Sequence, residues 1–86
     1  MKKDDIQFNL TEEMTDYIIE INELKNHLIE LEEKITIADT EEEIKKIKID
    51  LEETTKRIEK YKRSFIKSFQ KSNQEQIKLY LKLEKD

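Results

Sequence analysis

At 86 residues the chain has room for one small domain and for no large core. It contains no glycine, proline or cysteine, which excludes glycine-rich phosphate loops, disulfides and thiolate metal sites and leaves little to interrupt a helix. Charged residues make up 44% of the sequence and nearly cancel to a net −4, while the apolar residues recur periodically, as in a coiled coil rather than a disordered chain.

Residues 1–8 are polar apart from Ile6 and Phe8 and read as a loose arm or a frayed first turn, within an N-terminal arm over 1–9. The Met-Lys-Lys-Asp-Asp start has no apolar stretch behind it, and no apolar run reaches the ~20 residues that span a bilayer. This predicts a cytoplasmic protein, or one exported without a cleaved signal. Asn9 or Thr11 is expected to cap the first helix, and Asn9 followed by Glu12 resembles a capping box. Asn9-Leu10-Thr11 also fits a glycosylation sequon, over which the cap is preferred.

The first helix is expected over 10–37. Its apolar residues are Leu10, Met14, Tyr17, Ile21, Leu24, Leu28, Leu31 and Ile35, at alternating steps of four and three. That spacing is a heptad seam, with Met14, Ile21, Leu28 and Ile35 at a and the others at d. A helix carrying such a stripe must bury it against a partner. The repeat lapses at Glu42 and Lys45 and restarts out of phase at Ile44, so residues 38–40 read as a turn. Thr40 followed by Glu43 is a capping box, and Glu41, Glu42 and Glu43 suit the positive end of a new helix.

The second helix is expected over 41–85, with a stripe of Ile44, Ile47, Leu51, Thr54, Ile58, Tyr61, Phe65 and Ser68. Folded back antiparallel, the stripes pair wherever two residue numbers sum to 82, for example Leu24 with Ile58 and Met14 with Ser68. Charge favours the fold-back. Residues 1–43 hold 14 acids and 4 bases (net −10), whereas residues 44–86 hold 7 acids and 13 bases (net +6). The register predicts ion pairs Glu32–Lys48, Lys34–Asp50 and Glu13–Lys71, of value mainly for orientation. The predicted fold is therefore all-α, a single two-helix antiparallel coiled-coil hairpin whose longer second helix overhangs the first.

The overhang begins past about Asn73 and holds Ile77, Leu79, Tyr80, Leu81 and Leu83. Ile18, Ile19, Ile66 and Phe69 lie outside the seam near the same open end, with Ile6 and Phe8 in reach. Surplus apolar surface on a small protein marks a contact surface. The predicted partner-binding residues are Phe69, Ile77, Leu79, Tyr80, Leu81 and Leu83, and pairing of two hairpins there would form a four-helix bundle.

Catalytic chemistry finds no purchase. His27, the one histidine, reads as a solvated residue beside the seam. Glu23 shares its face, but two ligands do not make a metal site. Ser64, Ser68 and Ser72 recur along one face with no base nearby and read as small residues that let helices approach. The acid clusters lack the glycine of a calcium loop. No catalytic, cofactor or metal residue is predicted, and the chain is read as no enzyme. The basic run from Lys56 to Lys71, with Tyr61, Phe65 and Phe69 interleaved, suggests nucleic acid in principle. Its aromatics fall on or beside the seam, so a helix face matched to the acidic first helix is preferred.

A hairpin of this size resembles the Trp-x-Gly small secreted proteins of type VII secretion systems, where a Tyr-x-x-x-Asp/Glu export signal follows the hairpin. Tyr80-Leu81-Lys82-Leu83-Glu84 fits that signal. The turn reads Ala38-Asp39-Thr40 in place of Trp-x-Gly, so the similarity is to Trp-less relatives. The resemblance implies that Tyr80 and Glu84 serve recognition by secretion machinery or a partner. The expected function is a protein–protein interaction module that binds itself or a partner. The alternatives are a type VII secreted or partner protein and a phage or mobile-element inhibitor of a host protein.

Overall fold

The structure is a computed structural model, and it describes residues 1–85. A 3-10 turn at Lys3–Asp5 is followed by helices α1 (Glu12–Ile37), α2 (Glu41–Ser72) and α3 (Gln74–Glu84). The all-helical hairpin read from the sequence is present: α1 and α2 pack along each other and are joined by the short turn. The particle is long and flat, 59 × 26 × 15 Å, with a radius of gyration of 18.7 Å. A compact chain of this length would have a radius near 12 Å.

Both long helices begin where a hydroxyl can take an otherwise unpaired N–H. The Thr40 Oγ1 accepts from the Glu43 N–H at 3.2 Å, and the Glu43 carboxylate accepts from the Asp39 N–H at 3.3 Å. At the start of α1 the cap is Thr11, whose Oγ1 accepts from the Met14 N–H at 3.2 Å. The capping box expected from Asn9 does not form, because Asn9 is engaged elsewhere. Leu10 consequently lies ahead of the helix and is 62% exposed, and so drops out of the seam.

The rest of the seam is inside. Met14, Leu24, Leu31, Thr54 and Ile58 are buried, and Tyr17, Ile21, Leu28, Ile35, Ile44, Ile47, Leu51, Tyr61 and Phe65 are half-buried. Two helices cannot fully cover each other's stripes, so most of this core keeps one edge in water. The Tyr17 and Tyr61 rings lie 6.2 Å apart across the interface.

The expected ion pairs between the helices are absent. Glu32–Lys48, Lys34–Asp50 and Glu13–Lys71 do not come within 4.0 Å, and the described salt bridges are Lys3–Glu84 and His27–Glu30. Exposed pairs of this kind gain about 0–1 kcal/mol, which side-chain entropy readily cancels. The acidic and basic helices still attract as extended charges within a Debye length of about 10 Å.

The second helix is not continuous over 41–85. It breaks at Asn73, whose φ of −127° and ψ of 28° leave the helical region, and resumes as α3. The Asn73 N–H still donates to the Phe69 carbonyl and its carbonyl accepts from the Ile77 N–H, so the break is a local kink within a nearly continuous hydrogen-bond ladder.

Candidate functional site

At the kink, the sequence reading of the N-terminal arm as loose needs correction. Asn73 is fully buried, and its amide grips the Asn9 backbone from both sides. The Asn73 Oδ1 accepts from the Asn9 N–H at 2.6 Å, and the Nδ2 donates to the Asn9 carbonyl at 3.0 Å and to the Phe69 carbonyl at 3.1 Å. The Asn9 Nδ2 in turn donates to the Ser72 carbonyl at 3.4 Å. Asn9 and Asn73 sum to 82, so the seam's own register carries on one step into a polar lock. A buried amide left unpaired is costly, which is why this asparagine specifies where the arm docks.

From this lock the arm runs back along α3. Phe8 packs 5.3 Å from the Phe69 ring and 6.4 Å from the Tyr80 ring, both tilted. Phe69 also stacks on Phe65 at 6.1 Å. At the far end the Lys3 Nζ lies 5.1 Å from the Tyr80 ring centroid and 3.3 Å from the Glu84 carboxylate. The lengths match. The three residues of the 3-10 turn rise about 6 Å and the extended residues 6–9 reach about 13 Å, while the eleven residues of α3 rise about 16 Å. The arm therefore spans the helix from Asn73 to Glu84.

Of the six residues predicted to bind a partner, Phe69 and Tyr80 are brought together through Phe8. Ile77, Leu79 and Leu83 are half-buried on α3, and Leu81 is 51% exposed. The Tyr80–Glu84 pair of the candidate export signal lies on one face of α3, where Lys3 engages both. The sequence placed Phe8 within reach of the open end and offered Asn9 only as a cap, while Lys3 and Asn73 were not singled out. Extending the pairing rule by one step would have placed the two asparagines together.

Beside the lock, the two sides of the hairpin differ. One carries a cleft lined by Ile18, Ile21, Phe65 and Ile66, flanked by Lys25 and Lys62. The other is lined by Glu13, Tyr17, Ser64, Ser68, Lys67 and Lys71 and is the more polar of the two. Two of the serines therefore border this more polar cleft. On that side the Tyr17 hydroxyl donates to the Glu13 carboxylate at 2.9 Å. This hydrogen bond raises the Tyr17 pKa above its ordinary value, helped by partial desolvation and the Glu13 charge and opposed by the Ser64 hydroxyl.

A raised tyrosine pKa favours the neutral phenol in the folded chain. The stabilisation is therefore present below the ordinary tyrosine range near pH 10 and is lost as pH rises through the elevated value. Glu13→Gln should move the Tyr17 titration back down, as read from its ζ-carbon NMR shift. An unchanged midpoint would show that Glu13 does not hold the phenol.

His27 is exposed, and its Nδ1 lies 3.8 Å from the carboxylate of Glu30, three residues on. Among the described residues no three His, Asp or Glu side chains gather into a group that could hold a metal ion. No helix among them is long and apolar enough to cross a membrane. In comparison with known proteins, no family model, curated protein or solved structure matches this chain.

Proposed function

We propose that the chain is a non-enzymatic protein–protein interaction module that binds itself or a partner protein through the open end of the hairpin and α3. The observation carrying this reading is the apolar surface that the hairpin leaves uncovered there. Ile18, Ile19 and Ile66 are exposed on the long helices, Leu81 on α3, and Phe8 and Leu10 on the arm. Ile29, Ile37 and Ile49 are exposed in the turn half, so the surplus is not confined to the open end, but the open end combines it with an apolar cleft and aromatic side chains.

The total surface argues the same way. The chain exposes 7235 Å² at 10.5 kDa. A compact monomer of that mass exposes about 5,400 Å². The difference, roughly 1,800 Å², exceeds the ~800 Å² per partner of a standard interface. Two hairpins facing each other at this open end, α3 included, would form a four-helix bundle there.

Leu79→Asp with Leu83→Asp should abolish self-association or partner capture while circular dichroism keeps most of its helical signal. Sedimentation equilibrium and a pull-down from the native host are the measurements. Global unfolding of the double variant would mean that α3 is core, and undiminished association would mean that α3 is no interface.

A second reading draws on the placement of Tyr80 and Glu84 on one face of α3. It makes the chain a type VII-like secreted or targeting protein, with this pair as the recognition signal. Tyr80→Ala would then block its appearance outside the host cell without altering the fold. Unchanged export would remove that reading.

A further inference from the structure

The arm is seated on α3 as a short peptide ligand would be. It is extended apart from one 3-10 turn, it crosses the helix from end to end, and it is held by three separate chemistries. A buried amide reads its backbone at Asn9, an aromatic pair receives Phe8, and a tyrosine–glutamate pair receives the Lys3 ammonium. The anchors are few, and the segment between them lies mostly in solvent, with Ile6 the one half-buried residue among 1–10. Phe8 itself stays 40% exposed, and Leu10, which links the arm to α1, is exposed. A segment with so few buried contacts belongs to the least stable part of a fold.

We infer that the face running from Phe69 at the end of α2, through Asn73 at the kink, to Tyr80 and Glu84 on α3 is a docking surface for an extended peptide segment of a partner protein. That segment carries a basic residue and, five residues later, an aromatic one followed by a free backbone amide. The chain's own arm is the occupant in cis, and a partner binds by displacing it. The inference rests on the reading of the chain as a binding module and names the ligand chemistry of its α3 site. Backbone pairing to Asn73 supplies register, as main-chain bonds do in other extended-peptide sites, and the two side-chain contacts supply specificity. The tether gives the arm an effective concentration in the millimolar range, so a free segment competes at a disadvantage that arm removal abolishes.

The test uses a fluorescent synthetic peptide of residues 1–10 as probe. It is titrated against the intact chain and against a variant lacking residues 1–9, with helicity checked by circular dichroism. Saturable binding to the truncated chain, at least about tenfold weaker on the intact chain, is expected. A peptide carrying Lys3→Ala and Phe8→Ala should lose that binding. No saturable binding to the folded truncated chain, or equal binding to both chains, would overturn the inference. If truncation unfolds the protein, full-length Lys3→Ala/Phe8→Ala takes its place, and failure of that chain to bind the probe better than the intact one is equally fatal. Peptide capture reports on α3 alone, whereas the module reading is judged by association of the whole chain, so either can fail without the other.

Discussion

Asn73→Ala should release the N-terminal arm and leave the hairpin standing. The substitution removes both bonds to the Asn9 backbone and the side-chain bond to the Phe69 carbonyl, which keeps the Asn73 N–H as its donor. The two bonds to Asn9 together contribute about 1–3 kcal/mol. The arm has only Phe8 and Lys3 to hold it otherwise, and an aromatic pair with a surface ion pair contributes roughly 1–2 kcal/mol. These two contacts alone do not offset the entropy of ordering the arm, so the arm should come off. Hydrogen exchange should show the Asn9 amide becoming unprotected while amides in α1 and α2 keep their protection. If the whole chain loses protection together, Asn73 is holding the hairpin and not just the arm. If nothing changes, the arm is held by something other than this amide.

The second large effect is expected at the core. Ile58 is 5% exposed and lies mid-seam, where the pairing rule sets it against Leu24, itself buried. Ile58→Ala should cost about 2–4 kcal/mol through lost transfer energy and the cavity left behind. An 86-residue domain has only ~4–13 kcal/mol of stability in total. The variant should therefore be partly unfolded near body temperature and show a clearly lowered urea midpoint. Ile49→Ala, at a position 55% exposed, should change the unfolding free energy by less than about 0.5 kcal/mol. Equal losses at the two sites would mean that the stripe containing Ile58 is not the packed one.

What was legible in the sequence follows from how local each signal is. The seam from Met14 to Ile35 and its counterpart on α2 could be read because heptad spacing is a property of a few turns of helix. The Thr40 cap could be read because hydroxyl and acceptor amide lie within one turn. The choice between Asn9 and Thr11 as cap of α1 was open, since both have the right chemistry. It is decided by Asn73, a partner distant in sequence that takes Asn9 away. The kink was invisible for the same reason: with no glycine or proline to mark it, an asparagine amid good helix formers looks like one more exposed polar residue.

Charge misled in a different way. The opposite nets of the two halves agreed with the direction of pairing, but the register of the stripes does not force any two long charged side chains together. The Glu13 carboxylate takes the Tyr17 hydroxyl rather than Lys71. For the candidate site, the aromatic and apolar residues of the tail could be named, and the arm that covers two of them could not. Its docking depends on where Asn73 is delivered by the completed hairpin.

Both the site and its cis occupant exist only if the polypeptide reverses direction at the 38–40 turn. The chain has no native cysteine, so Asn22→Cys/Lys62→Cys can carry two spin labels without competing sites. Both positions border the same cleft. Pulsed electron spin resonance on the doubly labelled chain, diluted with unlabelled protein so that only distances within one molecule are read, should give a separation below about 25 Å, as neighbouring packed helices require. A separation near 60 Å, the rise of forty residues in one unbroken helix, would contradict the fold and everything placed at its open end.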